Sequence, residues 1–424
     1  MHRNILAIAL ASAIAPLLPN TANATEQQNL TNQQLAMYSK PSVVRIVTGC
    51  TGTYSLSGRR LDEEDYLSSG SGFFISSDGY ISTNAHVVED VKHPSKCDRQ
   101  LRKKIAVKLA KSKYGRQLSQ LSPEQLQELV TKIAQHLKRE DSRPIKAVLT
   151  ADGSPFPYEI KSYGAPVGEG KDVAIIKIEI ENAPVLKIAD SKTVQLQDRV
   201  TVAGYPGAAD TALLDQKATV ESSFTDGRVS ARKLMSDGAP VLQVSAPATH
   251  GNSGGPVLND KGEVIGMLTF RGDTVNDQEV VGFSFVVPAN TIMEFVRQAG
   301  TTNQEGLIEE QYRQGLNHYW QGEYQAAIAK FEEVKRLFPQ HSEVERLMQE
   351  SQQARSPKDG KKRLLQRLLQ RLPQIPLVPL LVLPVLHQMH LRLSSQEGLI
   401  GLEREFFLGS ALSSLLEEWE SLWV

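Results

Sequence analysis

Short apolar runs alternate with glycine and aspartate turns over much of the chain. The runs at residues 43–48, 80–83 and 199–204 are rich in β-branched and aromatic residues, a composition typical of strands. Further runs of this kind occupy residues 72–75, 145–150, 173–178, 241–245 and 282–287. Many short strands with close turns favour β-barrels or sandwiches over a parallel α/β sheet. We predict a mostly-β domain over residues 41–300, closed by a helix at 289–299.

Residues 92–145 interrupt this pattern with charged, leucine-rich sequence. Apolar residues recur there at helical spacing, at Leu126, Leu129, Val130, Ile133 and Leu137. Just before them, the segment 122–125 supplies an N-cap serine, a proline at the first helical position and a capping-box glutamine. We predict a helical insertion whose apolar stripe lies against the adjacent barrel, forming a cover beside any cleft there.

Two further segments flank the β domain. Residues 25–40 are polar and are predicted to be a linker. Residues 304–354 become helical again, and residues 308–339 resemble one tetratricopeptide repeat at Gly315, Gly322, Tyr324, Ala327, Phe331 and Pro339. An ordinary helical hairpin is the alternative. One repeat cannot bury its own apolar face, so a protein partner or another surface of the chain is expected to cover it.

The first 24 residues are typical of a signal peptide. A basic start precedes an apolar run at 5–18, and a small-residue cleavage site ends at Ala24. A buried N-terminal helix is the alternative, but Pro16 and Pro19 would break it. The sequence therefore predicts export to a periplasm or the extracellular space.

The C-terminal residues 355–424 form a basic, proline-rich tail. A basic amphipathic stretch from Lys361 leads into an apolar run at 375–386 that contains three prolines. A membrane-spanning helix needs about 20 apolar residues, so this run is too short. Disorder or docking to a partner is favoured over contact with a membrane surface.

The composition of the chain excludes few classes of function. The chain has 424 residues, 40% of them hydrophobic, and a formal net charge of −1, which gives no overall reason to expect nucleic acid as a partner. The two cysteines, Cys50 and Cys97, can join in an oxidising compartment, and two free thiols are the alternative. They lack the spacing of a metal site, which favours the disulfide.

The motif Gly251-Asn-Ser-Gly-Gly-Pro256 suggests a nucleophilic serine on a tight turn. The glycines let the backbone turn so that the amides of Gly251 and Ser253 can face a developing oxyanion. The same letters fit the nucleophile elbow of α/β hydrolases. However, the following residues predict strand, turn and strand where the elbow requires a helix.

Two residues that precede Ser253 are its candidate partners. His86 directly follows the predicted strand 80–83, and Asp172 stands at the entrance of an apolar strand, where a carboxylate is costly unless it is paired. The order His, Asp, Ser is that of chymotrypsin-like peptidases. Ser253 would attack the scissile carbonyl, His86 would take its proton, and Asp172 would orient the imidazole.

Five motifs together resemble the HtrA/Deg branch of the trypsin-like peptidases. They are residues 70–73, 83–88, 172–178, 251–256 and 282–288. The resemblance covers residues 41 to about 299 and implies a chymotrypsin-like double β-barrel, no cofactor and action on unfolded polypeptides. Two departures stand out: His86 and Asp172 are 86 residues apart, longer than usual for this branch, and no PDZ-like domain follows. Assembly into trimers or cages is therefore not carried over.

The sequence thus predicts an exported serine endopeptidase. A non-catalytic binding protein or quality-control factor on the same scaffold is the alternative from another class. Serine chemistry on esters or glycan-linked acyl groups is a second alternative. In members of the fold that cleave after Lys or Arg, the sixth residue before the serine is acidic. Here it is Pro247, so cleavage after small or medium apolar residues is expected.

Overall fold

The computed structural model describes residues 29–207, 215, 219–271, 274–275, 278–279 and 282–355. The predicted signal peptide and nearly all of the predicted tail lie outside the described residues. Among those residues, no helix has the length and apolar content needed to cross a membrane.

The first β unit is an antiparallel sheet of eight strands. They are β1 (Val43–Leu56), β2 (Arg59–Arg60), β3 (Glu64–Phe74), β4 (Tyr80–Thr83), β5 (Lys138–Leu149), β6 (Pro155–Phe156), β7 (Glu159–Tyr163) and β8 (Ala174–Lys177). Their order is β6, β5, β1, β3, β4, β8 and β7, and β2 pairs with β1. The pairing of β4 with β8 sets Thr83 opposite Ala174. This register brings the segment after β4 close to the segment before β8.

The second β unit is a closed barrel of six strands. The strands in this part of the chain are β9 (Arg199–Gly204), β10 (Ser223–Leu234), β11 (Pro240–Val244), β12 (Pro256–Leu258), β13 (Val264–Arg271), β14 (Thr274–Val275), β15 (Gln278–Glu279) and β16 (Ser284–Pro288). The barrel runs β10, β11, β16, β13, β12 and β9, while β14 pairs only with β15. Its core is rich in valine and leucine, including Val202, Leu242 and Val257. The predicted mostly-β fold of two β units is confirmed.

The predicted polar linker at residues 25–40 contains a helix, α1 (Asn32–Ser39). Thr31 and Gln34 form a capping box at its start, which supplies partners for two backbone amides. Leu35 and Tyr38 are buried, and a Cβ at Gly262 would lie 2.8 Å from the Tyr38 ring. The linker prediction followed the polar composition and missed the capping box and these two apolar positions, one turn apart.

The insertion is helical and is fixed to the first β unit. It contains α2 (Glu89–Lys92), α3 (Pro94–Tyr114), a 3₁₀ helix (Gly115–Gln120) and α4 (Pro123–His136). Cys50 of β1 and Cys97 of α3 form a disulfide with a Cα–Cα distance of 6.1 Å. Around it pack the side chains of Tyr54, Leu101, Ile105 and Leu137. A cross-link over 47 residues contributes about 4 kcal/mol in the chain-entropy account.

The structure corrects two details of the predicted insertion. Strand β5 begins at Lys138 rather than at residue 145, because β1 is long enough to continue the pairing to Ser55 opposite Lys138. The stripe of α4 packs mainly against α3 rather than against the β unit. Of its five apolar residues only Val130 and Leu137 are buried, and Leu137 alone joins the cluster around the disulfide.

The anchor of the insertion also lies away from the predicted nucleophile. Cys50 pairs with Tyr66 of β3, five residues before Ser71, and the Ser71 amide donates to the carbonyl of Ser253. At about 3.4 Å per residue, the two points are about 17 Å apart along the strand. This distance concerns the anchor alone, and the cover beside the cleft stays a prediction.

The chain divides into two compact units after Gly306. The first ends after α5 (Ala289–Gln298), and the second contains α6 (Leu307–Gln321), α7 (Tyr324–Leu337) and α8 (Val344–Ala354). Helices α6 and α7 pack closely at Gly315, where an added Cβ would lie only 2.6 Å from the Phe331 ring. Ala327 and Phe331 are buried. This close helix pair is compatible with the tetratricopeptide-like assignment, which stays a prediction.

Candidate active site

Ser253 lies on a tight turn that only glycines can build. Gly251 and Gly254 have φ values of +97° and +88°, in the region that side chains with a Cβ disfavour. Space is also lacking: a Cβ at Gly251 would lie 2.4 Å from the Tyr205 carbonyl oxygen, and one at Gly254 would lie 2.0 Å from the Ser71 carbonyl oxygen. The turn is therefore clamped between the two β units.

Two amides of this turn are available to a ligand. Within the described part of the chain, the amides of Gly251 and Ser253 donate no hydrogen bond, whereas those of Asn252 and Gly254 donate to Thr249 and Leu268. The Ser71 hydroxyl braces the turn by donating to the Gly251 carbonyl at 2.7 Å. Two adjacent donors held in place in this way can stabilise a negatively charged oxygen.

His86 and Asp172 are in direct contact. His86 begins a 3₁₀ helix (His86–Val88) just after β4, and Asp172 lies two residues before the start of β8. The imidazole Nδ1 lies 2.7 Å from Asp172 Oδ2, and the His86 amide donates to Oδ1 at 3.0 Å. The His86 side chain is 32% exposed, whereas that of Asp172 is 4% exposed. One carboxylate thus fixes both the imidazole and its backbone, while the imidazole stays accessible.

The buried Asp172 is surrounded by hydrogen-bond donors. Besides the two donors of His86, the Thr269 hydroxyl donates to Oδ2 at 2.5 Å. The Asn84 side-chain amide donates to the Asp172 carbonyl at 2.9 Å and holds the backbone. Removing a carboxylate from water is costly unless hydrogen bonds replace the lost hydration. Three donors on the carboxylate meet that requirement.

Thr269 joins this pair to Ser253, a role that the sequence analysis missed. Its hydroxyl contacts Asp172, and its carbonyl accepts a hydrogen bond from Ser253 Oγ at 3.0 Å. The Ser253 hydroxyl is therefore directed to Thr269 and not to the imidazole. Thr269 is buried within the apolar strand β13. Its only sequence signal is one hydroxyl in a run of apolar residues, which is also common in ordinary strands.

Tyr163 of β7 is an uncharged, partly buried side chain close to Asp172. Burial, with smaller contributions from the carboxylates of Glu89 and Asp172, raises the pKa of Tyr163 to about 12. Lys92 lies over its ring at 5.5 Å from the centroid, and the His93 ring meets its edge. The tyrosine therefore remains uncharged at neutral pH.

Among the described residues, no group of three or more His, Cys, Asp or Glu side chains has an arrangement that could hold a metal ion. The disulfide residues Cys50 and Cys97 belong to the insertion anchor and not to this centre.

Two β units, with a clamped serine turn in the second and a His–Asp pair in the first, are the arrangement found in chymotrypsin-fold serine peptidases. Residues 70–267 match the family model of the trypsin-like peptidase domain. In this region the chain is similar to trypsin-like peptidase domains of the HtrA/Deg type, in agreement with the resemblance seen in the sequence.

Curated relatives share this domain. A probable periplasmic serine endoprotease of the DegP-like type from Halomonas elongata is 29% identical over 248 residues, which are 57% of this chain and 37% of that protein. The mitochondrial serine protease HTRA2 of Drosophila willistoni is 28% identical over 240 residues, which are 56% of this chain and 40% of that protein. The chain thus spans only about two fifths of the length of these relatives.

A solved structure of an HtrA-type protease, AlgW with a decapeptide, is also similar. It is 18% identical, with a TM-score of 0.41, and the match covers 64% of this chain and 67% of that one.

Proposed function

We propose that this protein is a serine endopeptidase in which Ser253 is the nucleophile, His86 the general base and Asp172 the residue that orients the imidazole. The observation that carries the proposal is the contact of 2.7 Å between His86 Nδ1 and Asp172 Oδ2. Next to it, Ser253 lies on a turn with two amides that donate to no other group in the described chain. The relatives named as serine proteases support the same activity.

The proposed reaction follows from these contacts. On substrate binding, the Ser253 hydroxyl turns from the Thr269 carbonyl toward His86, since catalytic hydrogen bonds often align only in the complex. Ser253 Oγ then attacks the scissile carbonyl carbon while His86 Nε2 takes its proton. The amides of Gly251 and Ser253 stabilise the oxyanion. His86 returns the proton to the leaving amine, and a water molecule hydrolyses the acyl-enzyme by the same route.

We further propose that the protein works outside the cytoplasm. The predicted signal peptide supports export, and the disulfide between Cys50 and Cys97 is of a kind that persists in oxidising compartments. DegP-like relatives named as periplasmic point the same way. The substrates are then polypeptides of that compartment, and the helices of the second unit are candidates for binding a protein partner.

A non-catalytic binding role is the less favoured function. A scaffold kept only for binding has no need of three donors on a buried carboxylate or of a glycine turn with two available amides.

The contacts of Thr269 predict a positioning role that can be measured. Changing Thr269→Val removes a hydrogen bond to a buried carboxylate and leaves the Thr269 carbonyl in place. Hydrogen bonds to charged groups contribute about 1.5 to 3 kcal/mol, so we expect kcat/KM to fall roughly 10- to 150-fold, since each 1.4 kcal/mol is tenfold. The loss should fall on kcat rather than on KM, and Thr269→Ser should restore most of it. If Thr269→Ser were as impaired as Thr269→Val, the methyl packing and not the hydroxyl would matter.

The proposed activity and its specificity can be tested in one digest. Residue 247, six before Ser253, is proline and cannot pair with a cationic side chain, so cleavage after small or medium apolar residues is expected. The purified mature protein is incubated with unfolded casein, and the products are sequenced by mass spectrometry. Absence of digestion would count against the proposed function. A dominant Lys or Arg before the cut would overturn only the specificity.

A further inference from the structure

The helical insertion concentrates positive charge in a nearly neutral protein. Residues 89–137 hold 11 Lys and Arg against 5 Asp and Glu, a net charge of +6. The rest of the chain holds 36 Lys and Arg against 43 Asp and Glu, a net charge of −7. The insertion therefore has a positive local potential, although the net charge of the whole chain is close to zero.

Some of the cations fasten α3 to the first β unit and are already neutralised. Lys104 pairs with Asp65 at 2.9 Å and Lys108 pairs with Glu64, both on β3, while Arg102 pairs with Asp98 of α3 itself at 2.7 Å. These pairs account for three basic residues of α3. Other cations of the hairpin have no such pair in the part of the chain that the structure describes.

Five of these other cations form what we call the basic stripe. It consists of Arg99, Lys103, Lys111, Lys113 and Arg116, all of them exposed. No ion pair joins any of the five to another residue in the described chain. Arg99 and Lys103 are one turn apart and share a face of α3, and Lys111, Lys113 and Arg116 follow toward the end of the hairpin. These five exposed cations have no counter-charge among the described residues.

The stripe ends at an apolar groove at the tip of the hairpin. The groove has a volume of about 310 Å³ and is lined by Tyr114, Leu118, Leu121 and Leu129, with Gln117, Gln125, Glu128 and Lys132. Glu128 and Lys132 pair with each other at 2.7 Å, and Lys113 lies over the Tyr114 ring at 5.2 Å from the centroid. Nearby Leu126 is 36% exposed. Leucine and tyrosine side chains thus border cations at one exposed tip.

We propose that the basic stripe and the apolar tip dock the protein on an anionic lipid bilayer. Lys and Arg beside exposed Leu and aromatic side chains are the composition of helices that lie in a membrane interface. The cations attract anionic headgroups, and burial of the leucines at the boundary of the acyl chains lowers the free energy of the bound state. A nucleic acid would satisfy the cations and leave the leucines in water. An acidic peptide without apolar side chains would likewise leave the leucines in water.

The proposal is tested by sedimentation of the full mature chain with phosphatidylcholine vesicles, with and without phosphatidylglycerol. The stripe variant is Lys103→Gln, Lys111→Gln and Lys113→Gln. The control variant removes three exposed cations elsewhere, Arg59→Gln, Lys192→Gln and Lys261→Gln. A cation near an anionic surface changes affinity about fivefold, so we expect the stripe variant to bind phosphatidylglycerol vesicles roughly 100-fold less well than the parent. Because the control sites lie outside the stripe, the control variant should stay within about threefold of the parent.

Further measurements keep the result decisive. Leu118→Asn with Leu129→Asn should weaken vesicle binding without any change in charge, and all variants should keep the parent's rate on a small peptide substrate, which shows that they are folded. Equal vesicle binding by the stripe variant and the control would overturn the proposal. So would a parent that ignores the vesicles but binds polyglutamate or a DNA oligonucleotide through the stripe.

Discussion

Replacing Ser253 with alanine is expected to lower the turnover of an unfolded protein by a factor of about 10⁶, the loss seen when the nucleophile is removed from another serine peptidase. The expectation follows from the structure of the turn. The Ser253 hydroxyl lies on the turn with the two available amides. It donates to the carbonyl of Thr269, whose hydroxyl in turn contacts Asp172. Without the Ser253 hydroxyl, His86 has no proton to accept from the nucleophile. The measurement is the initial rate of casein hydrolysis by the parent and by Ser253→Ala at equal concentration.

Ser112→Ala is the matched control. Ser112 is exposed on α3, so this variant should digest casein at the rate of the parent. Circular dichroism should show the same fold for both variants. Casein hydrolysis by Ser253→Ala at the rate of the parent would mean that another residue is the nucleophile.

Asp172→Asn is expected to lower kcat by about 10⁴ with little change in KM. The substitution keeps the size of the side chain and removes its charge. The asparagine amide would then donate to His86 Nδ1, which forces the imidazole proton onto Nε2, where it blocks the acceptance of the Ser253 proton. The loss should therefore appear in the chemical step, and it is measured by steady-state kinetics on a short peptide substrate.

Asp152→Asn supplies the comparison for this effect. Asp152 lies in a turn, where its carboxylate accepts hydrogen bonds from Thr150 and Ser154, and these bonds lower its pKa despite partial burial. Its substitution should leave kcat near that of the parent. A loss in Asp172→Asn no larger than that in Asp152→Asn would remove Asp172 from the mechanism.

Local signals in the sequence were sufficient for the strands and for the central motifs. The predicted strands at 80–83 and 199–204 coincide with β4 and β9, because each is a short apolar run between turn residues. His86 and Asp172 were predicted as a pair from their order and from the cost of a carboxylate before an apolar strand. That cost depends on composition close to the residue, so it can be estimated without a structure.

Other features depend on contacts that the sequence does not display. Thr269 is one hydroxyl in an apolar strand, and only the fold shows that it contacts Asp172. Strand β5 begins early because the distant strand β1 is long enough to pair with it. The stripe of α4 was expected to pack against the barrel, but α3 is closer and covers part of it. In each case the local sequence was compatible with more than one structure, and contacts with residues distant in the sequence determined which one forms.

The central claim is that Ser253 is an activated nucleophile, and covalent labelling tests it most directly. The purified mature protein is treated with a fluorophosphonate, which reacts with serines activated by a neighbouring base, and the modified peptide is sequenced by mass spectrometry. We expect one adduct, on Ser253, that is absent from Ser253→Ala and strongly reduced in His86→Ala. An adduct on a different serine, or equal labelling of the parent and His86→Ala, would contradict the assignment.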